Sequence, residues 1–172
     1  MKKYTFKKGN FKSSPCEPLG LWQPGKLGIL QWKVKFDDTA RYELPGEEQE
    51  DWLKGGGVTL DLLSNHKNSV MWAWRYNPDT DKIELALYAH KGGDRYFTKP
   101  LASVAVGITF TVRIFKSGGT VWRVEFDTGE GWTGDAVQIP YDGFLYRRLP
   151  MWFGGTLPAP EDVNIYMDFL KS

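Results

Sequence analysis

The sequence predicts an all-β domain, built as an antiparallel two-sheet sandwich or jelly roll. Three observations carry this. About ten short runs alternate apolar and polar residues with the period of two that half-buried strands require. Turns rich in glycine and proline separate them, drawn from 19 Gly and 10 Pro in 172 residues. No stretch carries a long amphipathic helical pattern. The aromatic content of 15%, with eight Trp, suits sheets held by large cross-strand contacts.

Residues 1–26 are rich in Lys, Gly, Ser and Pro, with Pro15, Pro18 and Pro24 spaced through them. They are expected to form an irregular N-terminal arm, ahead of a single sandwich domain over 27–172. The first clear strand is 29–36, where Trp32, Val34 and Phe36 alternate with lysines. Residues 40–44 are read as its continuation after Asp37-Asp38. An acidic run (Glu47, Glu48, Glu50, Asp51) then leads to the triple glycine 55–57. It is read as a solvated loop, with calcium as the alternative because hard cations take several oxygen ligands, although the spacing fits no specific calcium motif. Strands follow at 58–63 and 95–98. The longest alternating run is 104–116, which returns through Ser117-Gly118-Gly119 as 120–127. Shorter strands at 136–139, 144–153 and 163–170 complete the chain.

The stretch 69–91, SVMWAWRYNPDTDKIELALYAHK, reads as a β-hairpin around Asn77-Pro78-Asp79-Thr80-Asp81. Pairing Tyr76 with Lys82 puts Met71, Ala73, Ile83, Leu85 and Leu87 on one face. Trp72, Trp74, Tyr76, Glu84, Tyr88 and His90 then share the other. Aromatic rings with polar edges can stack on sugar rings while neighbouring polar groups bind hydroxyls, so these six are the candidate ligand-binding residues. Intersheet core packing is the competing reading for Trp72, Trp74 and Tyr76.

A formal net charge of +1 argues against a nucleic-acid binder. No apolar run approaches the roughly 20 residues of a membrane helix, so no membrane insertion is expected. The N-terminus lacks the apolar segment of a secretory signal, which implies synthesis in a cytoplasm. The single cysteine, Cys16, cannot form an internal disulfide and is read as a buried or incidental thiol. His66 and His90 lack partners at metal-ligand spacing, so neither a metal nor another cofactor is expected.

Two enzymatic alternatives have some support. Glu125, Asp127 and Glu130 match E-x-D-x-x-E and so resemble the catalytic strand of the jelly-roll laminarinase and lichenase glycoside hydrolases. That resemblance implies Glu125 as nucleophile, Asp127 as electrostatic helper and Glu130 as acid/base. A retaining pair sits about 5 Å apart, whereas these two glutamates would be about 15 Å apart along a strand at about 3.3 Å per residue. Asp-Thr-Gly-Glu-Gly is moreover turn chemistry, which puts Glu130 at a hairpin tip. The other alternative is a jelly-roll polysaccharide lyase, with Tyr88 or His90 as base and Arg75 neutralising a uronate. In the register above, Arg75 has the opposite parity from Tyr88 and His90.

Two stretches together carry a broader resemblance. One runs from His66-Lys67-Asn68-Ser69 through Trp74-Arg75-Tyr76-Asn77 to Lys82-Ile83-Glu84. The other is Pro150-Met151-Trp152-Phe153-Gly154-Gly155 with Pro158-Ala159-Pro160-Glu161-Asp162 and Ile165. They resemble uncharacterised concanavalin-like (laminin-G-like) sandwich proteins of Bacteroidetes and their tailed phages, over about residues 27–170. The resemblance transfers no catalytic residue. It implies a sugar-coated bacterial surface as context and a virion surface or tail as a setting. Other virion proteins, or copies of the chain itself, are then the expected neighbours. The expected function is a non-catalytic binding or assembly module with glycan contact.

Overall fold

A computed structural model describes residues 1–16, 21–22, 28–61, 64–140 and 146–170, with residues 21–22 described by their backbone alone. The described strands are β1 (Lys2–Phe6), β2 (Ser13–Ser14), β3 (Leu21–Trp22), β4 (Ile29–Phe36), β5 (Leu53–Thr59), β6 (Asn68–Asn77), β7 (Lys82–Lys91), β8 (Asp94–Phe97), β9 (Ala102–Ala105), β10 (Thr109–Gly118), β11 (Val121–Asp127), β12 (Trp132–Gln138), β13 (Tyr146–Leu149) and β14 (Val163–Leu170). They form two antiparallel sheets. The first has the order β12-β11-β10-β4-β14-β1-β2. The second has the order β3-β13-β5-β6-β7-β8, with β9 also paired to β7.

Alternation builds the core as expected. Leu30, Trp32, Val34 and Phe36 of β4 point inward, as do Phe110, Val112 and Ile114 of β10 and Trp122, Val124 and Phe126 of β11. Between the sheets they meet Val70, Trp72, Trp74, Ile83, Leu85 and Leu87. Trp74 is tilted against Phe36 with ring centres 4.5 Å apart and is flanked by Tyr42 and Phe153.

Several elements differ from the sequence expectation. The N-terminal arm contributes β1, which pairs with β14 and buries Tyr4 and Phe6 in the core. Two inward residues flanked by lysines make too short an alternation to read as a strand. Residues 40–44 do not extend β4; Asp38–Ala40 is a 3-10 turn capped by the Asp37 carboxylate, which accepts from the Thr39 N–H. The strand expected at 58–63 begins earlier, at Leu53, and its residues 62–63 lie outside the described set, as do residues 144–145 of the strand expected at 144–153. The long run 104–116 is two strands in different sheets. Gly107, at φ +89°, turns the chain there, and its N–H donates to the Phe36 carbonyl.

The central hairpin carries the most consequential difference. Asn77 pairs with Lys82 and Tyr76 with Ile83, one residue out of the expected register. The turn is therefore 78–81, with Asp81 in the left-handed region at φ +51° and the Asn77 side chain accepting from the Asp79 N–H. Because side chains alternate, that single step regroups both faces.

Candidate binding cleft

In the observed register Trp72 opposes Leu87, Trp74 opposes Leu85 and Tyr76 opposes Ile83. All six belong to the intersheet core, and Trp72 and Trp74 are 0% exposed. Glu84, Tyr88 and His90 lie on the outer face of the second sheet with Ser69, Met71, Ala73 and Arg75. The six candidate binding residues are thus divided between two faces. Glu84 is committed to an ion pair with Arg75 (2.8 Å) and accepts from the Asn77 amide. Arg75, contrary to its expected parity, shares the face of Tyr88 and His90, but it is held by Glu84 and Glu50 and stacked 4.6 Å over Trp52.

Tyr88 and His90 remain, and both line a cleft of about 890 Å³. Strand pairing sets its floor. One row across the sheet runs Arg147, Thr59, Ser69, His90, Arg95; the next runs Leu149, Gly57, Met71, Tyr88, Phe97. A second apolar cluster of Trp52, Met71, Ala73, Ala86, Tyr88 and Leu149 underlies this face. Lys54 enters the cleft from β5, where a bulge between Lys54 and Gly56 shifts the register. The triple glycine has a steric reason at Gly55, where an added Cβ would sit 2.3 Å from the Trp72 indole. The walls are the acidic segment, with Glu47, Glu48 and Asp51, and the 150–156 loop, with Trp152, Gly154, Gly155 and Thr156. They meet where the Thr156 hydroxyl donates to Glu48 and the Asp51 carboxylate packs against Gly155.

The electrostatics follow from partial burial beside several cations. Burial lowers the His90 pKa, and His66, Lys54 and Arg95 lower it further, to about 4, so its ring is neutral at pH 7. The Ser69 hydroxyl lies 2.9 Å from Nδ1 of His90. The His66 and Tyr88 rings meet His90 edge-on, with centres 5.1 and 5.4 Å away. Burial raises Tyr88, against the opposing pull of Arg95. The Lys54 ammonium sits 4.7 Å above the Tyr88 ring centre and donates to the Gly154 carbonyl; burial lowers its pKa. Burial and the neighbouring Glu48 raise Asp51.

Glu125, Asp127 and Glu130 belong to the other sheet or its turns. Glu125 opposes Arg113 on β10 and Gly134 on β12, on the outward parity of the first sheet. Its carboxylate takes two bonds from Arg113 and one from Arg123 and is largely buried. Asp127 accepts the Gly129 N–H at the turn, and Glu130 is exposed in that turn. None of the three lines the cleft.

Sequence reasoning passed over Lys54, Arg95, Arg147, Asn65 and Trp152, all cleft residues. A signal was available for Trp152. The two stretches carrying the resemblance meet here, the first contributing His66 and Ser69 and the second Trp152, Gly154 and Gly155.

No protein-family model matches the chain, and no curated protein matches it in sequence. Solved structures do match in fold. A functionally unknown protein from Saccharomyces cerevisiae aligns with a TM-score of 0.53 at 13% identity, covering 99% of this chain and 88% of that one. An alginate lyase from Pseudomonas aeruginosa aligns at 0.55 and 13% identity, covering 88% and 68%. A xylan β-1,4-xylosidase from Bacillus halodurans aligns at 0.50 and 11% identity, covering 84% of this chain but only 27% of the enzyme. At these identities the likeness is one of fold. The chain is an all-β concanavalin-like jelly-roll sandwich. No helix among the described residues is long and apolar enough to cross a membrane.

Proposed function

We propose that the chain is a glycan-contacting module whose cleft takes an acidic saccharide, within the virion-surface or tail-associated setting implied by its sequence resemblance. One observation carries the ligand class. Arg41, Arg75, Arg113 and Arg123 are each paired with a carboxylate. Among the described residues, Arg95, Arg147 and Lys54 have no carboxylate in ion-pair range, and all three line the cleft beside Tyr88 and Trp152. Unpaired cations beside aromatic faces suit a sugar that carries carboxylates. The fold likeness to a polysaccharide lyase and a glycosidase agrees with this reading without carrying it.

A second reading, a lyase, is favoured by the convergence of Tyr88, His90 and Arg95. Arg95 would pair with a uronate carboxylate, acidifying the adjacent ring proton. Neutral His90 would remove that proton, and the C4–oxygen bond would break to leave a C4–C5 double bond. The Tyr88 hydroxyl would protonate the departing oxygen.

Calorimetric titration with alginate, polygalacturonate and hyaluronan, against neutral β-glucan and xylan, tests the binding reading. Binding should be confined to acidic glycans, weaken with salt, and fall at least about tenfold when Arg95→Gln and Arg147→Gln are combined. Failure to bind any acidic glycan, or unchanged affinity in the double variant, overturns it. Ultraviolet absorbance of an unsaturated uronate in the same mixtures separates lyase from binder. Antibody labelling of intact phage particles tests the virion setting.

A further inference from the structure

The cleft adjoins a further cavity. A second cavity of about 470 Å³ shares Glu47, Asp51, Lys54, Tyr88, Arg95 and Gly155 with the first and extends to Trp52, Arg75 and Phe97. The shared residues mark the junction between the two cavities, called the waist below, where the Lys54 ammonium lies over the Tyr88 ring. From Arg147 on β13 to Arg95 on β8 the floor crosses four strand spacings, roughly 19 Å at about 4.8 Å each. The larger cavity alone is near the upper end of the range for a small-molecule pocket, about 300–1,000 Å³. A single sugar would leave most of it empty.

Both ends terminate in exposed residues. Beyond the waist on one side stands Phe97, 53% exposed, with its ring stacked on Tyr88 at 6.1 Å and 12°. On the other side stands Trp152, 38% exposed, stacked on Phe11 at 5.7 Å and 18°. Each ring is held by a stacking partner, and the Lys12 ammonium also lies 5.7 Å from the Trp152 ring centre, so both partly exposed rings are positioned in advance and lose less entropy when a ligand stacks on them. The β8 edge beside Phe97 is exposed along its length, and Cys16 is exposed at the other rim.

From this we infer that the groove binds an internal segment of a linear acidic polysaccharide, laid obliquely across the second sheet. Sugar units lie on both sides of the Lys54–Tyr88–Arg95 waist, and Trp152 and Phe97 act as separate stacking platforms. The inference rests on the binding reading above and adds the form of the ligand. A monosaccharide or a chain end would engage one platform; only a continuing chain reaches both.

The test is titration with galacturonate and mannuronate oligomers from monomer to hexamer. Wild type should bind the hexamer at least about a hundredfold more tightly than the monomer. Trp152→Ala and Phe97→Ala should each weaken hexamer binding about tenfold, as expected for truncating one anchoring aromatic, whereas monomer binding should weaken in only one of the two. Both rings are exposed enough that the variants should fold, which thermal unfolding verifies. Equal affinity for monomer and hexamer, lost in Arg95→Gln, overturns the chain inference and leaves the binding site standing. Hexamer affinity unchanged in both aromatic variants also overturns it. No binding by any oligomer overturns the site reading itself.

Discussion

The Ser69 hydroxyl and His90 Nδ1, directly opposed on β6 and β7, lie 2.9 Å apart in the floor of the cleft. Both residues are buried, so the bond fixes the imidazole that contacts the Tyr88 ring and opposes Arg95 on β8.

Burial in that position links His90 to acid stability. Its folded pKa is brought down to about 4, from an ordinary value of 6.5, by burial and then by His66, Lys54 and Arg95. Between those values the unfolded chain takes up a proton that the native chain refuses, so stability falls as the pH drops through this window. Asp51, raised by burial and Glu48, acts in the opposite sense. Urea unfolding of wild type and His90→Gln at several pH values isolates the histidine part. The wild type should lose more stability than the variant between about pH 6.5 and 4; parallel curves would contradict the assignment.

Trp74 tests the correction to the hairpin. Fully buried between Phe36, Tyr42 and Phe153, it should behave as a core residue. Trp74→Ala should cost about 3–5 kcal/mol in urea unfolding. A variant of unchanged stability but lost glycan affinity would restore Trp74 to a binding face.

Gly55 is the steric counterpart of Trp72. A methyl group there would fall 2.3 Å from three indole carbons, which a packed core cannot yield without shifting the ring. Gly55→Ala should destabilise by about 1–3 kcal/mol, seen as a lower urea midpoint at unchanged slope.

Glu125 holds two guanidiniums together on the first sheet. Glu125→Gln should reduce stability by about 1–3 kcal/mol, in the range for hydrogen bonds to charged groups, and leave glycan affinity unchanged. Loss of β-glucan cleavage in both Glu125→Gln and Glu130→Gln would revive the hydrolase alternative.

Cys16 offers a reporter, as the chain's single thiol, exposed on the cleft rim. A saturating acidic oligosaccharide should slow its alkylation several-fold, followed by intact-mass spectrometry. Equal rates with and without ligand would place the ligand elsewhere.

The sequence by itself determined the sandwich. Period-two alternation in 29–36, 120–127 and 163–170, punctuated by glycine turns, leaves few other ways to bury those side chains. It also determined that each arm of the hairpin has a strongly apolar parity, Trp72 and Trp74 on β6 and Ile83, Leu85 and Leu87 on β7. Which parities join was decided by the tertiary structure. Asn77 opposes Lys82 because the 78–81 turn closes with Asp81 in a left-handed conformation, and Phe36, Phe110 and Phe153 supply rings that pack the tryptophans. The cleft was beyond local reading for a similar reason. Lys54, Arg95, Arg147 and Trp152 come from four separate segments, and only the pairing of β13, β5, β6, β7 and β8, with the loop after β13, brings them to one face. A period of two says that a side chain changes face at each step; only the partner strand and the opposing sheet decide which face is inside.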